Sequence, residues 1–152
     1  MKKIIAILVL FFGITSIFSQ EKIHKYTNTE YLFSVENNDV KFDYPIEEEV
    51  GNIKVYCFFD NQFKVSVQPL QNMELSKNLQ LAVLTAGKKV KIKSKTFNEN
   101  RYYAQIEDKK GNIIKMIEIN NVGQYTYTLL VNNPNSFKEG INILTSFNVL
   151  NN

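Results

Sequence analysis

Four short strand candidates lie close together in the second half of the sequence, at residues 90–97, 101–108, 113–119 and 124–131, and lysines alternate with less polar residues in the first of them. Alternation of this kind is typical of strands with one buried face. Three or four residues, rich in Asn, Gly and Lys, separate each run from the next. Links this short join only antiparallel neighbours, because a parallel pair needs a crossover of a dozen or more residues. The sequence therefore predicts an antiparallel meander.

Two hairpins are predicted ahead of the meander. In the stretch YLFSVENNDVKFDYP, alternating runs lie on either side of residues 37–39, which is a hairpin signal. Pro45 and the acidic run Glu47–Glu49 then predict a loop that extends to Gly51. The stretch IKVYCFFDNQFKVSVQP predicts the second hairpin.

The register of the second hairpin follows from burial of one whole face. A three-residue loop at residues 60–62 aligns the apolar residues of the two strands, whereas a two-residue loop places Lys54 beside Val67. We therefore predict the three-residue loop. Its pairs are Phe59 with Phe63, Cys57 with Val65 and Val55 with Val67.

Two helices are predicted from a change to helical periodicity. In MELSKNLQLAVLTAGKK one apolar stripe is predicted to be buried, and Gly87 is a natural end of the helix. This stripe contains Leu75, Leu79, Ala82, Val83 and Ala86.

The second helix is predicted near the C-terminus. Asn133 and Pro134 fit an N-cap followed by proline at the first helical position. Phe137, Ile141 and Leu144 are then spaced for a buried stripe, although Gly140 weakens the helix by about 1 kcal/mol relative to alanine. Tertiary packing is therefore expected to hold this helix in place.

Together these elements predict an α+β fold, in which two amphipathic helices pack on an antiparallel β-sheet of hairpins plus a meander. The stretch IIKMIEI has apolar residues on both faces, as expected for a central strand covered on two sides. Residues 31–152 are predicted to be a single domain. Residues 20–30 are polar and without a pattern, and they are predicted to be a mobile leader.

The first 19 residues have the layout of a cleaved signal peptide. Lys2 and Lys3 precede an uncharged apolar run, and small residues end with Ser19. The run is much shorter than the roughly 20 apolar residues that a membrane-spanning helix needs. We therefore predict an exported protein, periplasmic or secreted, without a transmembrane segment after signal removal.

Signal removal also changes the charge. The full chain has 18 basic and 15 acidic side chains, and loss of the two N-terminal lysines leaves a net charge of +1. Nucleic-acid binding depends on neutralised phosphates and is not predicted for a nearly neutral domain.

Few side chains are suited to catalysis or metal binding. His24 is the single histidine and lies in the predicted leader, and Cys57 is the single cysteine, in a strand position that predicts burial. Neither a fixed triad nor a zinc site can be built from this pair. Glu47–Glu49, with Asp43, lack the alternation of a calcium loop. No catalytic residue, metal or cofactor is predicted.

The stretch VKIKSKTF is the best candidate for a binding surface. Lys91, Lys93 and Lys95 share one side of a predicted strand, spaced by about 6.5 to 7 Å. They form either a basic ribbon for envelope phosphates or an acidic partner, or a solvated strand face, or an edge that charge keeps from aggregating. Glu107 and Asp108 are expected nearby, and Tyr102 or Tyr103 extends the same side.

The stretches FSVENNDVKFDYP and SFKEGINILTSFNV, taken with the order of elements, resemble the PsbP-like superfamily. The resemblance implies an antiparallel sheet with helices on both faces, and a binding or assembly role. The superfamily shares no catalytic residues, so none is transferred. Pro45 is followed here by Ile46 and Glu47, where many relatives have glycine and tryptophan. The leader is similar to those of Bacteroidota envelope proteins.

Three functions remain open from sequence. The first is an exported, non-enzymatic domain that binds another envelope macromolecule, an envelope protein or an anionic envelope component, or assists assembly. The second is a carrier of a small apolar ligand held between sheet and helix. The third is a hydrolase that uses only carboxylates.

Overall fold

The computed structural model describes residues 24–37 and 44–150. The predicted signal peptide lies outside these ranges, as does most of the second arm of the predicted first hairpin. In chain order the described residues form β1 (Lys25–Asn28), β2 (Phe33–Glu36), β3 (Ile46–Val50), β4 (Ile53–Phe58), β5 (Phe63–Pro69), helix α1 (Met73–Thr85), β6 (Lys91–Asn98), β7 (Arg101–Glu107), β8 (Ile113–Val122), β9 (Tyr125–Asn132), helix α2 (Phe137–Leu144) and β10 (Phe147–Val149). Within this part of the chain, no helix is long and apolar enough to cross a membrane.

The strands form two antiparallel sheets. The larger sheet has seven strands in the order β3-β4-β5-β9-β8-β7-β6, and the smaller has the order β1-β2-β10. Strands β6 to β9 are the predicted meander, and each pairs antiparallel with the next along the chain. The fold is therefore α+β, with mostly antiparallel sheet and two helices, as predicted.

The front face of the seven-stranded sheet is the side covered by the three-stranded sheet and α2. Phe33 and Val35 of β2 and Ile143 and Leu144 of α2 are buried there. They pack on apolar residues of β4, β5, β8 and β9, among them Tyr56, Phe58, Phe63, Val65, Met116, Tyr127 and Leu129. Rings dominate this core, with centroids of Phe33 and Tyr56 separated by 5.2 Å in an edge-on arrangement.

The back face of the sheet contacts α1. Met73 and Leu84 of the helix pack on the alternate residues of β7 and β8, including Ile106, Ile117 and Ile119. Strand β8 has Met116 in the front core and Ile117 in the back core, and both are fully buried. This strand is central and covered on two sides, as the sequence predicts.

The prediction of a mobile leader at residues 20–30 is wrong for residues 25–28, which form β1. Strand β1 pairs antiparallel with β2, with Lys25 opposite Glu36 and Asn28 opposite Phe33. Strand β10 pairs with the other side of β2. The predicted glutamate loop is also wrong, because Glu47–Glu49 lie within β3, at the edge of the larger sheet.

The predicted register of the second hairpin is wrong. Phe58 lies opposite Phe63 and Tyr56 opposite Val65, and the connection has four residues, 59–62. Phe59, Asp60 and Asn61 all have positive φ angles there. The register is shifted because Tyr56, and not Val55, belongs to the aromatic core on the front face. Cys57 consequently faces the back, and it is buried as predicted.

The predicted buried stripe of α1 is wrong. Leu75, Leu79 and Val83 are 50%, 57% and 73% exposed. The helix instead buries Met73, Ser76 and Leu84, and Leu81 packs beside them. Gly87 follows the helix with a φ of 68°, a left-handed conformation that favours glycine, as predicted for the end of a helix.

Helix α2 begins later than predicted. Ser136, and not Asn133, is the N-cap, and its hydroxyl accepts a hydrogen bond of 3.1 Å from the amide of Glu139. Leu144 is buried and Ile141 partly buried as predicted, but Phe137 is 52% exposed. Gly140 lies against Met116, so its lack of a side chain permits the close approach of the helix to the sheet.

Candidate functional site

A groove of about 500 Å³ lies between α2 and the part of the front face formed by β6, β7 and β8. We call it the front groove. Its floor is formed by side chains of the three strands, and its wall is formed by Phe137, Ile141 and Leu144 of α2. A volume of this size is within the range of ligand sites in proteins.

The front groove exists because the front face changes character across the sheet. Over β4, β5 and β9 the front residues are apolar and covered, whereas over β7 they are Arg101, Tyr103, Gln105 and Glu107. The alternate residues of β7 are apolar and belong to the back core. One face of β7 is therefore built for a core and the other for polar contacts.

Gln105 and Lys93 form one side of the floor, and both contact Glu107, which lies next to the groove at the end of β7. Glu107 is buried and accepts a hydrogen bond of 2.6 Å from the side-chain amide of Gln105. It also forms an ion pair with Lys93 of the edge strand. Donation by the Lys93 ammonium group, followed by that of Gln105, lowers the pKa of the Glu107 carboxyl below its ordinary value. This carboxylate is consequently ionised at neutral pH.

Arg101 and Glu118 form the other side of the floor. The Arg101 Nε donates to Glu118 Oε1 at 2.9 Å and Nη2 donates to Oε2 at 3.2 Å, a two-point contact that fixes both planar groups. The side-chain amide of Asn120 donates to Glu118 Oε1 at 2.9 Å. Burial, together with the negative charge of Glu118, raises the pKa of Tyr103 to about 12, so its hydroxyl keeps its proton.

Aromatic rings mark the rim of the front groove. Phe97 is 46% exposed, and its ring centroid lies 4.8 Å from Lys95 Nζ and 4.8 Å from Arg101 Cζ. Both distances are within the range of a cation–π contact. Phe137 is the corresponding exposed ring on the helix side. Apolar and cationic groups are thus combined on one surface.

The front side of β6, β7 and the neighbouring part of β8 has an excess of positive charge. Lys91, Lys93, Lys95 and Arg101 are opposed by Glu107 and Glu118. Lys95 has no ion-pair partner among the residues described here. The front groove therefore suits a ligand that has both an anionic group and an apolar part.

The structure brings two of the three predicted lysines into the front groove. Lys93 and Lys95 line the groove, whereas Lys91 lies on the same side of β6 but outside the groove. Of the two tyrosines, Tyr103 extends the site and Tyr102 is buried in the back core. Sequence reasoning missed Phe97, Arg101, Glu118, Phe137 and Ile141. The signal for some of them was the alternation of polar residues along β7.

His24 and Cys57 lie on different sides of the molecule. His24 precedes β1 on the front side, where Nδ1 is 3.4 Å from the Asn37 carbonyl oxygen. Cys57 lies on the back side of β4, and burial raises the pKa of its thiol. Residues 24–37 and 44–150 contain no group of three His, Cys, Asp or Glu side chains arranged for a metal ion. Asp43 lies outside the described residues.

Comparisons with known proteins leave the family open. No family model and no curated protein matches the chain. A crystal structure of a protein from Bacteroides thetaiotaomicron is similar over 86% of this chain, with a TM-score of 0.36 and 14% identity. The chain spans half the length of that protein.

Proposed function

We propose that this protein is an exported, non-enzymatic binding domain whose front groove holds an acidic, partly apolar segment of another envelope macromolecule. Export is proposed from the layout of residues 1–19, and the resemblance to the PsbP-like superfamily favours a binding or assembly role. An antiparallel sheet with helices on both faces is consistent with that superfamily. The observation that carries the proposal is the combination of cations and exposed rings along the front groove.

The electrostatics of the front groove favour an anionic partner. Lys95 has no carboxylate to bind within the described part of the chain, and its ammonium group lies over the Phe97 ring. An incoming carboxylate beside Lys95 gains a charge-assisted hydrogen bond. An apolar side chain next to that carboxylate gains contact with Phe97, Phe137 and Ile141. A ligand that is only charged or only apolar makes one of these two contacts, and we therefore expect it to bind more weakly than a ligand with both parts.

The carboxylates in and next to the front groove, Glu118 and Glu107, are poorly placed for hydrolysis. A general acid needs a raised pKa, whereas the pKa of Glu107 is lowered by Lys93 and Gln105. Glu118 is engaged by Arg101 through both of its oxygens. The geometry thus favours binding over the carboxylate hydrolase considered from sequence.

A second function, the carriage of a small apolar ligand, is favoured by one observation. The wall that α2 contributes is apolar, and it lies between sheet and helix, where such a carrier would hold its ligand. The helix is about 12 Å long, so only a short part of an acyl chain or one or two side chains fits along it. This length favours a segment of a larger partner over a whole lipid.

Site-directed photocrosslinking in intact cells tests the proposal. A photoreactive phenylalanine analogue replaces Phe137, and a matched control places the same analogue at Asn78 on the solvent side of α1. We expect one defined adduct from position 137, none from position 78, and loss of that adduct in the Lys95→Glu variant. Lys109→Glu makes the same charge change in the turn after β7, outside the front groove, and is the control that we expect to keep the adduct. Equal adducts from both positions would exclude the front groove.

Two further measurements separate the alternatives. Intact mass of the protein recovered from the envelope fraction checks removal of residues 1–19, and an uncleaved cytoplasmic chain would contradict export. Organic extraction of natively purified protein, followed by mass spectrometry, checks the carrier function. A stoichiometric lipid that is lost in the Phe137→Ala variant would replace the macromolecular partner with the carrier.

A further inference from the structure

The two edges of the seven-stranded sheet have opposite charges. Strand β3 forms one edge and has Glu47, Glu48 and Glu49 in succession, and β6 forms the other edge and has Lys91, Lys93 and Lys95. Every residue of both strands is exposed. An exposed edge strand presents unpaired backbone donors and acceptors, which another strand can satisfy.

The direction of the two edges allows one copy to continue the sheet of the next. Each of the six neighbouring pairs among the seven strands is antiparallel, so β3 and β6 run in the same direction. A second copy placed beside the first, with its front face on the same side, therefore aligns its β3 parallel to β6 of the first. No strand has to reverse and no face has to turn over.

The side chains of the two edges match in this arrangement. Glu47 and Glu49 lie on the front side of β3, because their partners on β4 are Tyr56 and Lys54. The three lysines lie on the front side of β6, opposite Glu107, Gln105 and Tyr103. On the back side, β3 presents Ile46 and Val50, which are 62% and 64% exposed, with Glu48 between them. On the same side β6 presents Ile92, which is 41% exposed, followed by Ser94 and Thr96. Charge therefore meets opposite charge on the front, and on the back Ile46 meets Ile92 while Glu48 lies beside the small polar Ser94.

From this match we propose that the protein associates with a second copy of itself head to tail, by parallel pairing of β3 with β6. Glu47 then lies beside Lys93 and Glu49 beside Lys95, while Ile46 lies beside Ile92. Side chains opposite each other on neighbouring strands are about 5 Å apart, which is close enough for ion pairs. The five residues of β3 match positions 92–96, which end at the irregularity in β6 near Thr96.

Existing ion pairs extend across the new contact. Glu107 pairs with Lys93 within one copy, and Lys54 pairs with Glu49 within the next. Addition of Glu47 beside Lys93, and of Lys95 beside Glu49, produces rows in which the sign of charge alternates. On the front side each added charge thus faces a neighbour of opposite sign, and the rows contain no like-charged contact.

Symmetric edge pairing is disfavoured by the same charges. Two β6 edges would place lysines against lysines, and two β3 edges would place glutamates against glutamates. Like charges directly opposite on neighbouring strands are destabilising. The contact is therefore heterologous, and repetition of it gives an open chain of copies instead of a closed dimer.

Sedimentation velocity of the protein recovered from cells that express the full chain tests the inference. A contact of five residues per strand is small, so we expect weak association. Dimers, trimers and longer chains of copies should appear in turn as the protein concentration rises from about 10 µM to about 1 mM, and they should dissociate near 1 M salt. Glu47→Lys/Glu49→Lys is expected to remain monomeric across this range. Neither residue lines the front groove, so the crosslink from position 137 stays intact and the two proposals fail separately.

A charge swap distinguishes this pairing from a general charge effect. Glu49→Lys alone and Lys95→Glu alone are each expected to weaken association about tenfold, and the double variant to restore it. Lys109→Glu, in the turn after β7, is the matched control and should associate like the original protein. Circular dichroism verifies that each variant is folded. A monomer at every concentration, growth that stops at a dimer, or a double variant no better than the single ones would overturn the proposal.

Discussion

The two helices lie on opposite faces of the same sheet and satisfy burial in different ways. Helix α2 has eight residues and approaches the sheet closely through Gly140, and it buries Ile143 and Leu144. Helix α1 has 13 residues, yet it turns Leu75, Leu79 and Val83 towards solvent. Burial therefore follows the shape of the sheet beneath each helix and not the size of its apolar stripe.

The sheet explains why α1 exposes its larger side chains. Its back face under α1 is filled by Tyr102, Ile106, Ile117 and Ile119, all of them buried. Small Ser76, 4% exposed, lies on the sheet side of the helix between Met73 and Leu84. Bulky strand residues thus meet a helix face with a small residue at its centre, which keeps large and small groups interdigitated.

The largest effect is expected at the buried side of α1. Leu84→Ala removes a side chain that is 6% exposed and leaves a cavity against the back core. The free energy of unfolding should fall by about 2–4 kcal/mol. Chemical denaturation of the variant and of the original protein measures this difference. A loss below about 1 kcal/mol would show that α1 contributes little to the back core.

The next effect concerns the close approach of α2. Gly140→Ala improves helix propensity by about 1 kcal/mol. The added carbon would lie 2.1 Å from the sulfur of Met116, which is fully buried, so the contact must open. We expect the free energy of unfolding, measured with denaturant, to fall by a net value of about 1–2 kcal/mol.

The double variant with Met116→Ala gives the control for this position. Once the sulfur is absent, Gly140→Ala should no longer destabilise the protein. It should raise the free energy of unfolding by up to about 1 kcal/mol relative to Met116→Ala alone. The same loss in both backgrounds would mean that backbone strain, and not the contact with Met116, explains the effect.

A smaller effect is expected at the N-caps, which both helices have. The Asn72 side chain accepts from the amides of Glu74 and Leu75 at 3.0 and 3.2 Å, and Ser136 accepts from Glu139. Asn72→Ala and Ser136→Ala should each lower the unfolding free energy by about 1 kcal/mol. Hydrogen exchange should speed up in the first turn of the affected helix alone. Replacement by Asp at either position is the control and should be close to neutral.

The sequence was most informative where local signals and tertiary packing agree. Short turn segments predicted the meander, and apolar residues on both sides of β8 predicted its central position. Register in the second hairpin needed knowledge of the partner layer, because Tyr56 is buried by contacts with Phe33 and Tyr26 from β2 and β1. Strand β1 itself has no apolar alternation and is held by pairing with β2. Distant contacts therefore override the local pattern at these places.

The candidate site was only partly predictable for the same reason. The lysines of β6 were visible as a repeated spacing, and two of them line the front groove. Phe137 and Ile141 come from a helix more than 40 residues later, and no local pattern links them to β6. The Arg101–Glu118 contact likewise depends on the pairing of β7 with β8. The sequence therefore predicts the β6 side of the site, whereas the side formed by α2 and the Arg101–Glu118 contact depends on how the chain folds.

The smallest effect is expected on the exposed side of α1. Leu79→Ala removes as many carbon atoms as Leu84→Ala, but Leu79 is 57% exposed and no cavity forms. Because alanine also has the higher helix propensity, the unfolding free energy should change by less than about 0.5 kcal/mol. Denaturant unfolding of the two variants under identical conditions checks the contrast. A loss at Leu79 as large as that at Leu84 would mean that a further part of the molecule covers this stripe in solution.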